Sequence, residues 1–286
     1  MVALLSPMNT LYVTDLDGTL IRDDLSLSPW SRRELVSLLD AGVAITVATA
    51  RSIVSLAAIL GDIPFRLPVV EFNGAFVTDY RTKEHLFVNA IASDLAAAVH
   101  AIIIRAGAAP FISTFDGEQD LLYYRQVSNP GEETYFKERL SFKDGRLRKV
   151  ESLEPALRQH VACFTLIDRE ERILRLAGEL ASSFGGRLSC HLSPYRYVPG
   201  WHLLSVHDAK ATKDQGIRTL QENCGLQGAE LIVFGDDVND LGMFRIASRA
   251  VAMANACDEV KALAHEMTGS NQVDSVISWI HARELA

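Results

Sequence analysis

This sequence is short of several things. It has only four cysteines in 286 residues, Cys163, Cys190, Cys224 and Cys257, and none forms a CxxC pair. Thiols scattered in this way support neither a structural zinc site nor a disulfide framework; buried free thiols in a reducing compartment are expected. No segment approaches the ~20 apolar residues that a membrane helix needs. The richest apolar run, 95–104, is interrupted at Arg105. Residues 1–7 carry no Lys or Arg and do not read as a signal peptide. A cytoplasmic protein with no membrane partner is the expectation. Positive charge is also in deficit, with 28 Lys and Arg against 36 Asp and Glu and a net charge of -8. Such a chain repels phosphate backbones, so no nucleic-acid partner is expected. GxGxxG, Walker A, GxSxG and HExxH are all missing. The eight histidines show no ligand spacing, and His202 and His207 are expected to be structural or solvated.

What is present suits a globular chain. Hydrophobic residues make up 48% and charged residues 22%, enough for a core in one large domain or two modest ones. A β-prone segment at 10–14 ends in Asp15. Ser28-Pro29 starts a helix, with Ser as N-cap and Pro at the first helical position. Leu35, Leu38 and Leu39 give that helix an apolar stripe. The β-branched run 43–48 reads as a strand buried on both faces, followed by a helix at 52–60 and a strand at 69–72. The same rhythm returns late, with a helix at 213–224, a strand at 231–234, a helix, a short strand at 250–253 and a helix at 273–282. Alternation of this kind predicts an α/β core with an open parallel sheet. Between the two parts, 82–198 reads as an α+β insert with a mostly antiparallel sheet. Its two helices are expected at 94–106 and 169–184, and its strands at 111–115, 121–125, 147–150, 161–167 and 187–191.

Four segments fall where parallel strands should end, the place where open α/β sheets hold ligands. The first is Asp15-Leu16-Asp17-Gly18-Thr19. Gly18 stands fourth from the first Asp, not sixth as a calcium loop requires. An acidic strand-end turn is the plainer alternative. The second is Thr49-Ala50-Arg51, where the Thr49 hydroxyl and the following backbone N–H groups suit phosphate, or Thr49 simply caps a helix. The third is Lys213 at a helix start, with Lys210 as its rival. The fourth is Gly235-Asp236-Asp237-Val238-Asn239-Asp240, whose acids are either solvated or converge with Asp15 and Asp17 on a hard divalent cation, for which Mg²⁺ suits a phosphate-handling site. Such a cation keeps Asp15 ionised, and an ionised carboxylate attacks phosphorus without a general base. Asn73-Gly74 reads first as a turn.

These residues together resemble the haloacid dehalogenase-like superfamily, and within it the Cof-type phosphatases. The resemblance spans the chain. It rests on Asp-Leu-Asp-Gly-Thr-Leu at 15–20, Thr-Ala-Arg at 49–51, Asn-Gly-Ala at 73–75, Lys213, Gly-Asp-Asp-Val-Asn-Asp at 235–240 and Val-Ala-Met-Ala-Asn-Ala at 251–256. It implies a Rossmann-like parallel-sheet core of residues 1–81 and 199–286, with an inserted α/β cap at 82–198. It implies Asp15 as nucleophile and Asp17 as general acid and base. Mg²⁺ would be held by Asp15, the backbone carbonyl of Asp17, and Asp236, with support from Asn239 or Asp240. Thr49, Ala50, Lys213 and Asn239 would hold phosphate, with Arg51 and Asn73 in supporting places. The substrate would be a small phosphorylated metabolite, sugar phosphates first and phosphorylated cofactors behind. Arg125, Tyr195, Arg196 and Tyr197 are the candidate substrate-reading residues of the insert. The alternatives are a sugar phosphomutase on the same scaffold and a non-catalytic phosphate-ligand-binding protein. Ala50 and Asp214 stand where relatives usually carry Gly.

Overall fold

The computed structural model describes residues 10–195 and 198–284. Arg196 and Tyr197 therefore lie outside the described residues. In chain order the elements begin β1 (Thr10–Thr14), α1 (Pro29–Asp40), β2 (Ala44–Val47), α2 (Ile53–Leu60), β3 (Val69–Glu71), β4 (Phe76–Thr78) and β5 (His85–Val88). Then come α3 (Ser93–Arg105), β6 (Phe111–Phe115), β7 (Asp120–Tyr124), α4 (Pro130–Ser141), β8 (Leu147–Lys149), β9 (His160–Asp168), α5 (Glu170–Phe184), β10 (Leu188–Pro194) and β11 (His202–Asp208). The chain closes with α6 (Lys213–Cys224), β12 (Glu230–Gly235), α7 (Leu241–Ile246), β13 (Arg249–Ala252), α8 (Asp258–Leu263), β14 (Glu266–Met267) and α9 (Ser275–Glu284). Two compact units result, one of residues 10–87 with 212–284 and one within 88–211.

The first unit is an α/β fold around a five-stranded sheet in the order β14-β13-β12-β1-β2. Every pairing in it is parallel. Its central strands are apolar on both faces because helices cover both, so Leu11, Val13, Val47, Ile232, Val233 and Phe234 are all fully buried. Leu35 and Leu39 of α1, Leu56 and Leu60 of α2, Ile217 and Leu220 of α6, and Ile277 and Ile280 of α9 join the same core. Burial of each such side chain contributes roughly 1.5–3 kcal/mol. β3 and β4 pair antiparallel. β3 continues the main sheet only through a parallel bridge between Ala48 and Val70.

The second unit holds a six-stranded sheet, β10-β11-β9-β6-β7-β8. It is antiparallel except for the β7–β8 pair. Leu95, Val99 and Ile103 of α3 and Ile173, Leu176 and Leu180 of α5 pack with Ile112, Phe164, Leu166 and Val206 of the strands. Phe111, Leu122 and Ile167 belong to a separate cluster with Tyr135, Tyr195 and Trp201. Adjacent residues on a strand face opposite ways, so α4, which carries Tyr135, covers the other side of the sheet. α4 is a third helix where the sequence led us to expect two. β11 lies beyond the Pro199–Gly200 turn and pairs with β9 and β10. Arg125 is exposed, whereas Tyr195 is buried in the aromatic cluster. His207 is buried, with Nδ1 3.0 Å from the Ala162 carbonyl oxygen.

Candidate active site

Three parallel strands of the first unit end side by side. Thr14 at the end of β1 is in register with Val47 of β2 and Phe234 of β12. The chain leaves β1 at Asp15, whose N–H still donates to the Phe234 carbonyl at 2.9 Å. It leaves β12 through Gly235 and Asp236. Residues 15–17 and 235–240 therefore meet at the carboxyl ends of adjacent strands although most of the chain separates them.

Asp15, Asp236 and Asp240 are all buried there, and one carboxylate oxygen of each lies within 4.8 Å of the others. Lys213, also buried, starts α6 and donates from Nζ to Asp15 Oδ1 at 2.5 Å and to Asp240 Oδ1 at 2.6 Å. The exposed Lys210 takes no part. Among the described residues, Asp15 Oδ2 carries no hydrogen bond. The far oxygen of Asp240, Oδ2, accepts from the backbone N–H groups of Asp236 (2.9 Å) and Asp237 (3.1 Å). That fold-back needs Gly235, since a Cβ there would stand 2.5 Å from Asp240 Oδ2. Thr19 donates its hydroxyl to Asp236 Oδ1 at 2.9 Å.

Burial pushes Asp15 well above the usual carboxylate range, Lys213 pulls it down, and Asp240 and Asp236 push it further up. Burial disfavours the charge on Lys213, but Asp15 and Asp240 outweigh it and hold the ammonium above the ordinary lysine value. Three buried carboxylates against one ammonium leave an excess of negative charge. All-oxygen donors with that excess fit a hard divalent cation, so the cluster is a place that could hold a metal ion.

Asp17 lies apart from the cluster by its carboxylate. Arg51 grips it with two parallel bonds, Nε to Oδ2 and Nη2 to Oδ1, both 2.8 Å. Thr49 is buried and its hydroxyl accepts from the Arg51 N–H at 3.1 Å. Thr49 is not the N-cap of α2: Ser52 is, accepting from Ser55 N–H. Ala50 is exposed beside it. Asn73 is buried with φ 56°, and its Oδ1 accepts from Asn239 Nδ2 at 3.0 Å. Asn73 Nδ2 is buried with no partner among the described residues, a donor of the kind an anion would use. Asp214 is half-buried, with Oδ2 accepting from Gln215 at 3.3 Å.

Two supporting residues were not among the candidate site residues, although Asn255 lies in the 251–256 motif. Glu71, fully buried, accepts from the Ile53 N–H and from the Thr78 hydroxyl (2.6 Å), and so fixes the start of α2 behind residues 49–51. Asn255 donates to the Gly18 carbonyl at 2.8 Å and secures the turn after Asp17. The Ile53–Glu71 and Asn255–Gly18 bonds join separate segments, which composition and spacing do not reveal.

The family description "haloacid dehalogenase-like hydrolase" matches residues 12–280. The chain is 26% identical over 288 residues to 5-amino-6-(5-phospho-D-ribitylamino)uracil phosphatase YwtE of Bacillus subtilis, covering 93% of this chain and 95% of that one. It is 26% identical over 280 residues to pyridoxal phosphate phosphatase YbhA of Escherichia coli, covering 94% and 96%. In fold it is similar to a solved haloacid dehalogenase-like hydrolase from Bacteroides thetaiotaomicron, with a TM-score of 0.78 at 22% identity and coverage of 96% and 99%.

Proposed function

Since the chain belongs to the haloacid dehalogenase-like hydrolases, in their Cof-type branch, we propose that it is a Mg²⁺-dependent phosphatase of small phosphomonoesters that works through a phospho-aspartate on Asp15. One observation carries this reading. Lys213 holds one oxygen of the buried Asp15 carboxylate and leaves the other without a hydrogen bond, beside an acidic cluster that calls for a cation.

In this reading Asp15 Oδ2 attacks phosphorus and the bond from phosphorus to the ester oxygen breaks. Asp17 gives its proton to the departing oxygen. Water then attacks the acyl phosphate, Asp17 takes the proton, and inorganic phosphate leaves with Asp15 restored. Lys213 bonds a phosphoryl oxygen as well as Asp15. The Thr49 hydroxyl, the Ala50 N–H, Asn73 Nδ2 and Asn239 bind the others. Arg51 orients Asp17. Asp15, Asp236 and the carbonyl of Asp17 would hold Mg²⁺, with Asp240 behind them, and the ion would offset repulsion between the carboxylates and a phosphate dianion. The inserted unit is assigned the role of the cap that selects the leaving group. Sugar and sugar-alcohol phosphates are the leading substrate class, in keeping with a relative that acts on a phospho-D-ribityl compound.

The test is phosphate release from p-nitrophenyl phosphate and a panel of phosphorylated sugars, sugar alcohols and cofactors, with Mg²⁺ or EDTA. Release that needs Mg²⁺ and falls to background in Asp15→Asn is expected. A folded protein inert to the whole panel would favour a phosphate-ligand-binding role. Turnover that appears only with a bisphosphorylated sugar activator would favour a phosphomutase.

A further inference from the structure

The second unit contains a cavity of ≈ 390 Å³. That is within the roughly 300–1,000 Å³ range of small-molecule pockets. It lies where the loop after α3, the start of α4, the end of β9 and the first turns of α5 meet. Leu166, Ile173, Leu176 and Trp201 supply an apolar wall.

Glu132, on this wall, is only 4% exposed. Its Oε2 accepts from the Ser128 N–H at 2.6 Å and the Ser128 hydroxyl at 2.9 Å. Among the described residues, its Oε1 has no hydrogen bond and no ion pair. Burial drives the Glu132 carboxyl up, and Asp168 adds to the rise against the bonds from Ser128. The other charged groups of the wall are already matched to each other. Arg172 pairs with Asp168 at 2.9 Å. It also donates to the Ala106 and Gly107 carbonyls at 3.4 and 3.5 Å. Asn129 donates to the Ile167 carbonyl at 3.0 Å and accepts from the Glu132 N–H at 2.9 Å. Capping of α4 explains Oε2 of Glu132. It explains neither the unmatched Oε1 nor the cavity that Glu132 lines.

We propose that this cavity binds a small primary amine, with its ammonium on Glu132 Oε1 and a compact apolar body against Leu166, Ile173 and Trp201. The donor set selects this chemistry. A guanidinium needs both carboxylate oxygens for its fork, and Oε2 is already engaged twice. A hard divalent cation needs six or more oxygens, and here one is free. An ammonium is a compact charge that one oxygen satisfies, and it neutralises the one acidic group of the wall that Arg172 does not reach. The site is independent of the chemistry assigned to the first unit.

The test is calorimetric titration of the full chain with 2-phenylethylamine, and with 2-phenylethanol as the uncharged probe of the same shape. Saturable one-to-one binding of the amine, no binding of the alcohol, and at least tenfold weaker amine binding in Glu132→Gln are expected. Ala109→Leu, which narrows the cavity without touching the carboxylate, should also weaken binding, and it keeps the test open if Glu132→Gln fails to fold. Hydrolysis of p-nitrophenyl phosphate should persist in both variants. Equal binding of amine and alcohol, undiminished binding in a folded Glu132→Gln, or no saturable binding to the wild type would overturn the proposal.

Discussion

Asp15 and Asp17 stand two residues apart and keep different company. Asp15 is buried against Lys213, while Asp17 is gripped by Arg51 and its side chain is 32% exposed. A nucleophile needs a fixed, free oxygen, and a proton carrier needs access to the leaving group and to water. In Asp17→Asn, p-nitrophenyl phosphate should still phosphorylate Asp15, because nitrophenolate leaves without a proton. Hydrolysis of the acyl phosphate should slow by ~10²–10⁴-fold for want of a base. Rapid mixing should then show a burst of nitrophenolate equal to the enzyme concentration, followed by slow turnover. A folded variant with no burst would remove Asp17 from the second step. A second residue gives a pH dependence. Burial pushes His207 down to about 3, with His191 adding to the fall. An unfolded histidine titrates near ~6.5. Between those values the unfolded chain takes up a proton that the folded chain refuses. His207 thus costs no stability above pH ~6.5, and stability is lost as pH falls toward 3, by up to ~1.4 kcal/mol per unit. Urea midpoints from pH 7 to 5 should fall more steeply for wild type than for His207→Gln.

At the scale of elements, the sequence was most readable where one local rule decides the matter. Ser28-Pro29 starts α1 as expected, with the Ser28 hydroxyl accepting from Ser31 N–H at 2.9 Å. The apolar run of β12 and the acids after it also read directly. α4 was missed although Asn129-Pro130 is a start signal of the same kind. Its buried residues are few, and its place comes from Tyr135 packing on Phe111 across the sheet. β11 was missed because strands are recognised by their partners, and its partners, β9 and β10, lie before the Pro199–Gly200 turn. One junction between elements controls the site. Gly74 has φ 110°, and a Cβ there would stand 2.2 Å from the Thr212 carbonyl oxygen, the residue before Lys213. Gly74→Ala must push the start of α6 away, and Lys213 with it. We expect a loss of roughly 1–3 kcal/mol in stability and a large loss of turnover. Gly117→Ala is the control: it has φ 106° with nothing within 4 Å, so it carries the backbone strain without the clash. If both variants lose turnover equally, the contact with Thr212 is not what sets Lys213.

At the scale of the whole molecule, the site is assembled by topology. The segments at 15–19, 49–51, 73–74, 213 and 235–240 are legible one by one as strand ends and helix starts. Their meeting depends on the parallel neighbours β2, β1 and β12, which the α/β rhythm implies. The pairing of Asp17 with Arg51 and the fold-back of Asp240 depend on side-chain geometry that no spacing rule contains. The same topology makes the two units unequal. The first is discontinuous in sequence and closes only when the last strands and helices join β1. The second is continuous, with apolar clusters on both faces of its own sheet. A polypeptide of residues 88–211 should therefore fold alone and melt cooperatively, whereas the acidic cluster belongs wholly to the first unit. On the proposed reading Mg²⁺ would bind where those carboxylates converge, so by linkage it should raise the melting temperature of the full chain, with ~2.7 kcal/mol of stabilisation at a hundredfold excess over Kd. It should leave the 88–211 polypeptide unchanged. A shift of equal size in both would place the responding ion in the second unit and away from Asp15, and an unfolded 88–211 polypeptide would mean that its clusters need the rest of the chain to form.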